Sequence, residues 1–260
     1  MTHAPPVEAR QPKILLLDIE TAPILGYAWG IREVDLIHVI EPTYILCYAY
    51  KWLDQPAVHT KALCDFRGYK RNRRSDKALV QSLWDILDEA DVVIAHNGDA
   101  FDIKKINSRF AVHGFMPPTP YKTIDTLKIA RAAFKFDSNK LDNIGRYLEV
   151  GTKLPHTGVH LWLGCMKGDP SSWRTMKEYN AQDVRLLESV YEELKPWAKS
   201  HPILTALAPR KKTSCPTCLS SNVVSRGWNI AKFKKTPRFQ CNDCGTWFSG
   251  AAHIPKIEAA

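Results

Sequence analysis

The segment Ile14–Thr21, with the sequence ILLLDIET, restricts the fold most, because its apolar side chains fall on both faces of an extended strand. Such a strand has to be covered on both sides, so it is predicted to be central in the sheet of a layered domain. Asp18 and Glu20 interrupt the apolar run at alternate positions and therefore share one face. Carboxylates on a central strand are costly unless their charge is compensated. The alternative is a strand whose C-terminal end reaches solvent.

Short strand patterns alternate with helical patterns along the first half of the chain, and helices dominate the second half. Ser75 is the predicted N-cap of the first helix. The order predicts a layered α/β domain of about 200 residues. The predicted strands lie around 27–31 and at 44–52 and 91–95, and the predicted helices lie at 75–90, 101–112, 124–135, 139–149 and 172–196.

The length of 260 residues is enough for one medium domain and a small additional one. The stretch that leads into the small module is rich in proline and ends in a basic run, which is typical of a linker. We predict a flexible leader at 1–12, an α/β domain at 13–200, a linker at 201–212, a cysteine-bearing module at 213–252 and a tail at 253–260.

The positive charge of the chain is concentrated at its C-terminal end. The net charge is +9, and residues 209–260 hold nine lysines and arginines against two acidic residues. A basic tail favours a polyanionic partner, most often nucleic acid, although a solvated tail would have the same composition. The sequence has no apolar run of roughly 18 residues and no secretory signal, so a cytoplasmic protein without a membrane partner is predicted. The seven cysteines are then expected to be thiols or metal ligands.

Further polar side chains stand where a core or a sheet edge is expected. Asn97 and Asp102 lie in the segment that follows the 91–95 strand, near the carboxyl edge of the sheet, where α/β folds bind ligands. Tyr179 and Asp183 are spaced i, i+4 on the apolar stripe of the last helix, so their side chains point the same way. There are alternatives for both acids. Asp102 would complement the dipole of a helix at its N-terminus, and Asp183 would lie at an exposed end of the apolar stripe.

Together these segments resemble the three motifs of the ribonuclease H-like 3′–5′ exonucleases. The motifs are LLLDIET, N-x3-F-D at Asn97–Asp102 and Y-x3-D at Tyr179–Asp183, and the resemblance covers about residues 12–200. The tyrosine subclass (DEDDy) is matched, as in the proofreading domains of family B polymerases, because Glu178 stands where the histidine subclass has histidine. Since no polymerase is attached, the chain looks more like the stand-alone members, which include phage-encoded enzymes that act in a host cytoplasm. The resemblance implies a three-layer fold with a mixed central sheet.

The resemblance also implies two Mg²⁺ or Mn²⁺ ions, which would relieve the mutual repulsion of four converging carboxylates. Two such ions, about 4 Å apart, activate a water and stabilise the leaving oxygen. By resemblance, Asp18 bridges both ions, Glu20 and Asp183 complete the site of the attacking water, and Asp102 supports the second ion. Tyr179 orients the nucleophile, because a phenol with a pKa near 10 is a poor base at neutral pH. Asn97 binds substrate or supports the metal site.

Two C-x2-C pairs in the C-terminal module predict a structural zinc site. Cys215, Cys218, Cys241 and Cys244 supply the four thiolates of a closed tetrahedral site, with 22 residues between the pairs instead of the usual 15–20 or so. The module resembles a zinc ribbon, although Leu219 stands where a glycine is more usual in the first knuckle. Two redox-active pairs are the alternative. The remaining cysteines, Cys47, Cys64 and Cys165, are interpreted as ordinary buried thiols.

Basic and aromatic side chains are interleaved in the module, which is typical of surfaces that hold phosphates and stack bases. A replication or repair protein is an alternative partner, and some of the aromatic residues are expected to form the small core of the ribbon instead. The predicted nucleic-acid contacts are Trp228, Lys232, Lys234, Lys235 and Arg238.

Other features receive no function from the sequence. The basic cluster RGYKRNRR, residues 67–74, either guides a strand or is a solvated loop. His156 and His160 have i, i+4 spacing but lack the glutamate of the H-E-x-x-H metalloprotease motif.

The sequence thus indicates a two-metal-ion 3′–5′ exonuclease, an enzyme that hydrolyses the phosphodiester bonds of nucleic acid. Single-stranded DNA is the leading substrate by overall resemblance. Two alternatives stay open: the same site acting on RNA, and a catalytically inactive nucleic-acid-binding or scaffold protein with the same fold. The presence of all four acids and the tyrosine favours the enzyme.

Overall fold

The structure, a computed structural model, describes residues 10–30, 32, 35–208, 214–231 and 234–251. They form two compact units. The large unit consists of Lys13–Lys128 and Phe136–Val190, and the small unit consists of the described residues among 1–12, 129–135 and 191–260. The predicted tail, and parts of the predicted leader and linker, lie outside the described residues. The predicted domain boundaries stay a prediction.

The strands of the large unit are β1 (Ile14–Thr21), β2 (Leu25–Tyr27), β3 (His38–Glu41), β4 (Ile45–Trp52), β5 (His59–Ala62), β6 (Val92–Ala95) and β7 (Lys122–Asp125). The helices that begin in it are α1 (Lys77–Glu89), α2 (Asp102–His113), α3 (Thr126–Ala133), α4 (Leu141–Tyr147), α5 (Val159–Lys167) and α6 (Pro170–Leu194). Strands β8 (Val223–Ala231), β9 (Lys234–Cys241) and β10 (Trp247–Ser249) belong to the small unit.

The central sheet of the large unit is mixed, with the strand order β5-β4-β1-β6-β7. Strand β1 is antiparallel to β4 and parallel to β6, while β4 is antiparallel to β5 and β6 is parallel to β7. The prediction that Ile14–Thr21 is a central strand is confirmed, since it has partners on both sides. The predicted α/β fold with a mixed central sheet is also confirmed.

Both faces of β1 are covered, as its apolar pattern requires. Leu15, Leu17 and Ile19 belong to a core cluster with apolar side chains from α1, α2, α5 and α6. Leu16, on the opposite face, is fully buried as well. The burial of two faces accounts for a run of consecutive apolar residues instead of a strict alternation.

Helix α1 begins at Lys77, so the predicted Ser75 N-cap is wrong. Asp76 precedes the helix, but its carboxylate does not cap it. Instead it accepts a hydrogen bond from the Ile45 N–H (2.9 Å) and two from Arg109 (2.8 and 2.6 Å). The Asp76 oxygens that could cap the helix are therefore used in an ion pair with Arg109, a residue distant in the sequence.

Two other predicted elements differ from the structure. Residues 124 and 125, predicted as the start of a helix, are the end of β7, because the backbone of 122–125 pairs with β6 before α3 begins. The strand predicted around 27–31 is instead the end of β2, which forms a hairpin with β3, and Ile31 lies outside the described residues. In both cases, strand pairing with another segment determines which residues form the element.

Among the described residues, none of the helices combines the length and the apolar character that crossing a bilayer requires.

Candidate functional site

Three acidic side chains converge at the C-terminal end of β1. Asp18 and Glu20 come from this strand, and Asp183 comes from the middle of α6. One carboxylate oxygen from each of them lies within 4.8 Å of the others. Asp183 is almost completely buried, while Asp18 and Glu20 are half-buried. The structure thus brings together three of the four carboxylates that the sequence singled out.

Asp102, the fourth carboxylate, is the first residue of α2 and is buried. Its Oδ1 accepts the backbone N–H of Ile19 at 3.1 Å, so its position is fixed to the strand that carries Asp18 and Glu20. The parallel pairing of β1 with β6 brings the segment after β6 to the same sheet edge. Asp102 is not part of the group of three, but its charge acts on Asp18 more strongly than that of any other neighbouring group.

Asn97 occupies the turn between β6 and α2 with a left-handed backbone, φ 63°. Asparagine tolerates this conformation better than most residues. Its N–H donates to Asp125 Oδ1 at 2.8 Å, and its carbonyl accepts the N–H of Phe101 at 3.0 Å. These contacts fix the turn that precedes Asp102. A contact of the Asn97 side chain with substrate stays a prediction.

Helix α6 presents a second polar side chain to the site, Asn180, which is fully buried. Its Nδ2 donates to Asp18 Oδ2 at 2.6 Å and to the Asp18 carbonyl at 3.3 Å. The Cys47 thiol lies 3.3 Å from Asn180 Oδ1 and donates to it. Asn180 therefore orients Asp18. The sequence did not predict this role, and its place beside Tyr179 was the one signal for it.

Lys153 is the one cation that directly contacts these acids among the described residues. It lies in the loop between α4 and α5. Its Nζ donates to Asp183 Oδ2 at 2.6 Å and to the Tyr179 hydroxyl at 3.1 Å, and it lies 5.2 Å from the centre of the Tyr179 ring. Lys153 thus connects the tyrosine and the aspartate that were predicted to act together. No sequence pattern distinguishes this lysine from other loop lysines.

An aromatic group lines the same site. Trp162 Nε1 donates to Glu20 Oε2 at 3.1 Å, which orients the carboxylate. The His156 ring lies 4.8 Å from Tyr179 and 5.1 Å from Trp162, measured between ring centres. His156 therefore packs against the wall of the site, a place that its spacing with His160 did not predict, and both histidines are exposed.

The convergence of acids perturbs their protonation. Burial, followed by the charge of Asp102, raises the pKa of Asp18 well above its usual value. Burial, followed by the charge of Asp183, raises the pKa of Glu20 to about 7, and burial raises the pKa of Asp102 to about 7. The ammonium of Lys153 opposes each of these shifts. Burial, then the Asp183 charge, raises the pKa of Tyr179, so its hydroxyl keeps its proton at neutral pH.

The site has the donor set of a divalent metal centre. All the candidate donors are carboxylate oxygens, which Mg²⁺ and Mn²⁺ prefer. Asp183 Oδ1 is buried and has no hydrogen-bond partner among the residues that the structure describes. An unpaired buried carboxylate oxygen is costly, and a cation would supply the missing partner. The residues present therefore fit the ions that the sequence analysis predicted.

The cysteine cluster is a second metal-binding candidate, in the small unit. The sulfur atoms of Cys215, Cys218, Cys241 and Cys244 all lie within 4.8 Å of one another. Two pairs, Cys215–Cys244 and Cys218–Cys241, have sulfur atoms 3.6 Å apart. Zn–S bonds of about 2.3 Å in a tetrahedron require sulfur atoms roughly 3.8 Å apart. The cluster has the dimensions of such a site.

The backbone repeats the same knuckle in both cysteine pairs. The N–H of Leu219 donates to the carbonyl of Cys215 at 2.9 Å, and the N–H of Gly245 donates to the carbonyl of Cys241 at 3.0 Å. Both residues have left-handed φ angles, 64° and 75°. Leu219 thus adopts the conformation that favours glycine, at a cost of roughly 1–2 kcal/mol. A bound metal would hold the strained knuckle in place.

The small unit carries a three-stranded antiparallel sheet with the order β10-β9-β8. Trp228, Lys234, Lys235 and Arg238 are all exposed on β8 and β9, and the Lys235 ammonium lies 4.8 Å from the Trp228 ring centre. Phe239 and Phe248 stack at 5.5 Å. Some aromatic residues therefore pack together, as expected, while the predicted nucleic-acid contacts face solvent. Lys232 lies outside the described residues.

Three comparisons with known proteins bear on the fold. The chain has 18% sequence identity to a family B DNA polymerase from the hyperthermophilic archaeon Pyrobaculum calidifontis, with a TM-score of 0.52. The match covers 75% of this chain and 26% of that polymerase, so the chain spans about a quarter of its length. At this identity the likeness shows the fold alone. The comparison with curated proteins gives no match.

A family model of the RNase H superfamily matches residues 57–195, more than half of the chain. The matched range includes Asp102, Tyr179 and Asp183, begins after β1, and ends before the cysteine cluster. Superfamily membership and the shared fold support nuclease activity. The chain belongs to the RNase H superfamily.

Proposed function

We propose that the chain is a metal-dependent 3′–5′ exonuclease that hydrolyses single-stranded nucleic acid, with DNA as the first candidate substrate. The convergence of Asp18, Glu20 and Asp183, together with the buried Asp183 Oδ1 that has no hydrogen-bond partner among the described residues, carries this proposal. The superfamily fold supports hydrolysis of phosphodiester bonds. The 3′–5′ direction rests on the resemblance of the three motifs to the tyrosine subclass of exonucleases.

Asp18, Glu20 and Asp183, with Asp102 beside them, would hold Mg²⁺ or Mn²⁺. When bound, such ions lower the pKa of a coordinated water and neutralise charge on the leaving oxygen. Trp162 and Asn180 fix the orientations of Glu20 and Asp18 through hydrogen bonds. Partners of this kind matter in metal sites, because their loss typically lowers metal affinity or activity by about 10–100-fold.

Tyr179 and Lys153 act on the nucleophile side of the same site. The pKa of Tyr179 is raised by burial and by Asp183, so the hydroxyl donates a hydrogen bond and does not act as a base. Lys153 holds this hydroxyl at 3.1 Å and fixes its direction. Its ammonium also places positive charge beside the position where negative charge develops on the phosphate.

We further propose that the four cysteines hold one structural Zn²⁺ and that the exposed β8–β9 surface helps to bind the substrate. Four thiolates leave no open position, so the ion has no catalytic step to perform. The alternating cations and the exposed Trp228 suit phosphate contact and base stacking.

The nuclease proposal is tested on a denaturing gel with 5′-labelled single-stranded DNA and RNA of the same sequence, in Mg²⁺, in Mn²⁺ and in chelator. We expect a ladder that shortens from the 3′ end only with metal. Asp18→Asn should lower the rate by about 100-fold or more, since the loss of even an indirect metal partner costs about 10–100-fold. Asp85→Asn is the control, because Asp85 is exposed and accepts a hydrogen bond from Gln81 on the surface of α1.

Equal cleavage by wild type and Asp18→Asn would reject the metal-site assignment. Binding of either strand without any cleavage would reject the enzyme and favour a nucleic-acid-binding protein. The ratio of the rates on DNA and RNA identifies the preferred substrate.

A further inference from the structure

A cavity of about 470 Å³ lies in the large unit, outside the carboxylate site. It is formed by the loop after β5, the start of α1 and Phe115. Its cations are Arg67, Arg71 and Lys77, and none of its lining residues is acidic. Such a cavity has a positive potential that favours an anionic ligand.

Two basic residues of the 67–74 cluster, unlike the cations of the cavity, are bonded to other parts of the protein. Arg73 donates to the Lys167 carbonyl at 2.5 Å, and Arg74 pairs with Glu41. In the part of the chain that the structure describes, Arg67, Arg71 and Lys77 have no acidic partner within ion-pair distance. Two arginines of the cluster are therefore held by the protein, whereas Arg67 and Arg71, together with Lys77 from the start of α1, line the cavity and are open to a ligand.

The cavity also has an aromatic wall made by Phe66, Tyr69 and Phe115, which are half-buried against the core. The Tyr69 hydroxyl accepts the indole N–H of Trp173 at 2.9 Å, and the two rings meet edge to face. Tyr69 is therefore held in the wall by a contact with α6. Helix α1 begins at the cavity without a side-chain cap, so its first N–H groups add to the positive potential.

The cavity combines aromatic rings with cations that have no acidic partner among the described residues. This combination suits a ligand in which a phosphate is joined to a flat base. We propose that this cavity binds a nucleotide, and that its occupant is a unit of the single strand at a distance from the bond that is cut. The choice of a strand rests on the proposed function. Trp173 lies ten positions before Asp183 on α6, about 15 Å along the helix axis. A strand whose 3′ end lies at the carboxylates is long enough to reach the cavity with its upstream nucleotides.

The test measures binding in chelator, where no cleavage takes place. The variant Arg67→Gln/Arg71→Gln removes two exposed cations of the cavity. The control Lys122→Gln/Lys140→Gln removes two exposed lysines that do not line the cavity, one on β7 at the other edge of the sheet and one before α4. Both variants have the same net charge. Circular dichroism melting curves that match wild type establish that each variant is folded.

We expect the cavity variant to bind fluorescein-labelled dT12 about tenfold more weakly than wild type, while the control changes by less than about threefold. The slope of log affinity against log salt should become less negative by about 1.4 in the cavity variant, or 0.7 for each lost phosphate contact. Equal losses in both variants would show that only total charge matters and would overturn the proposal. Wild-type affinity in the cavity variant would overturn it as well.

A second arm distinguishes a strand from a free nucleotide. Calorimetric titration with thymidine monophosphate gives heat in wild type and none in the cavity variant when the cavity accepts a free nucleotide. Loss of dT12 binding alone identifies the strand as the occupant. Normal cleavage with unchanged dT12 binding in the cavity variant would support the nuclease proposal and reject the cavity as a binding site. Binding that depends on the cavity, without cleavage by the wild type, would support the binding site and reject the nuclease proposal.

Discussion

At the scale of single residues, Lys153 has the largest consequence for the chemistry, because its ammonium is the charge that opposes the mutual repulsion of the acids. It lowers the pKa values of Asp18, Glu20 and Asp183 relative to what burial alone would give. Metal binding requires the carboxylates in their charged form. The pKa of Glu20 is about 7, so metal-dependent activity should increase as the pH rises through neutrality, and bound metal should move this limb to lower pH.

We therefore predict that Lys153→Met moves the acidic limb of the pH profile of kcat/KM to higher pH. Without the ammonium the carboxyl groups keep their protons to a higher pH, and moving the limb by one pH unit lowers the rate along it about tenfold. Lys153→Arg keeps the charge and should leave the limb within about half a pH unit of wild type. A Lys153→Met rate that is lowered equally at every pH would contradict this role and indicate a substrate contact.

The sequence predicted those site residues that are charged although they lie in apolar patterns. Asp18, Glu20 and Asp183 are acids in apolar strand or helix patterns, and such conflicts stand out without a structure. Lys153 comes from a loop, where a lysine is ordinary, and only the packing of that loop brings it to Asp183. Asn180 was equally hidden, because nothing in its spacing separates a buried asparagine from an exposed one.

At the scale of secondary-structure elements, a buried charge group joins three of them. Asp76, at the start of α1, is fully buried and bonds to Arg109 on α2 and to the backbone of β4 at Ile45. His113 Nε2 also lies 2.6 Å from its Oδ1. Removal of one member of a buried pair leaves the partner charge without compensation.

We predict that Asp76→Ala lowers the free energy of unfolding by about 3–5 kcal/mol, since Arg109 would stay buried without its carboxylate. Urea denaturation measures the change. Asp85→Ala, an exposed position on the same helix, serves as the control and should change stability by less than about 0.5 kcal/mol. A loss below about 1 kcal/mol for Asp76→Ala would mean that solvent reaches the arginine and satisfies it.

The type of an element could be predicted where the local sequence pattern was strong. Its boundaries could not be predicted where strand pairing or an ion pair with a distant residue decided them. The stripe Leu79, Leu83 and Leu87 predicted α1, and all three side chains are buried. Its first residue was misplaced, because Asp76 bonds across the fold and not to its own helix. Strand β7 has only four residues, too few for a reliable period, and exists because β6 offers it a partner.

At the scale of the whole molecule, the chain carries its metal-binding candidates in two separate compact units. The carboxylates belong to the large unit and the four cysteines to the small unit. The basic excess of residues 209–260 lies in the same part of the sequence as the cysteines. If these sites divide the work as proposed, loss of the cysteine site should impair substrate binding and spare the chemistry.

We predict that Cys241→Ser loses the single zinc ion per chain, because a closed site needs all four thiolates. Without the metal, the knuckles at Cys215 and Cys241 lose the bonds that join them to each other, and the β8–β9 surface should lose its order. The variant should therefore show a higher KM for single-stranded substrate and a weaker dependence of binding on salt, with kcat at saturating substrate close to wild type. Elemental analysis and steady-state kinetics measure the two effects.

Cys64→Ser is the matched control, since Cys64 is a half-buried thiol outside the cluster. It should keep both the zinc and the wild-type KM. A Cys241→Ser protein that loses zinc but keeps its KM would limit the zinc site to a structural role, because the surface it supports would then contribute nothing to substrate affinity. A fall in kcat of more than about tenfold at saturating substrate would instead mean that the carboxylate site depends on the small unit, which the division of metal ligands between two units argues against.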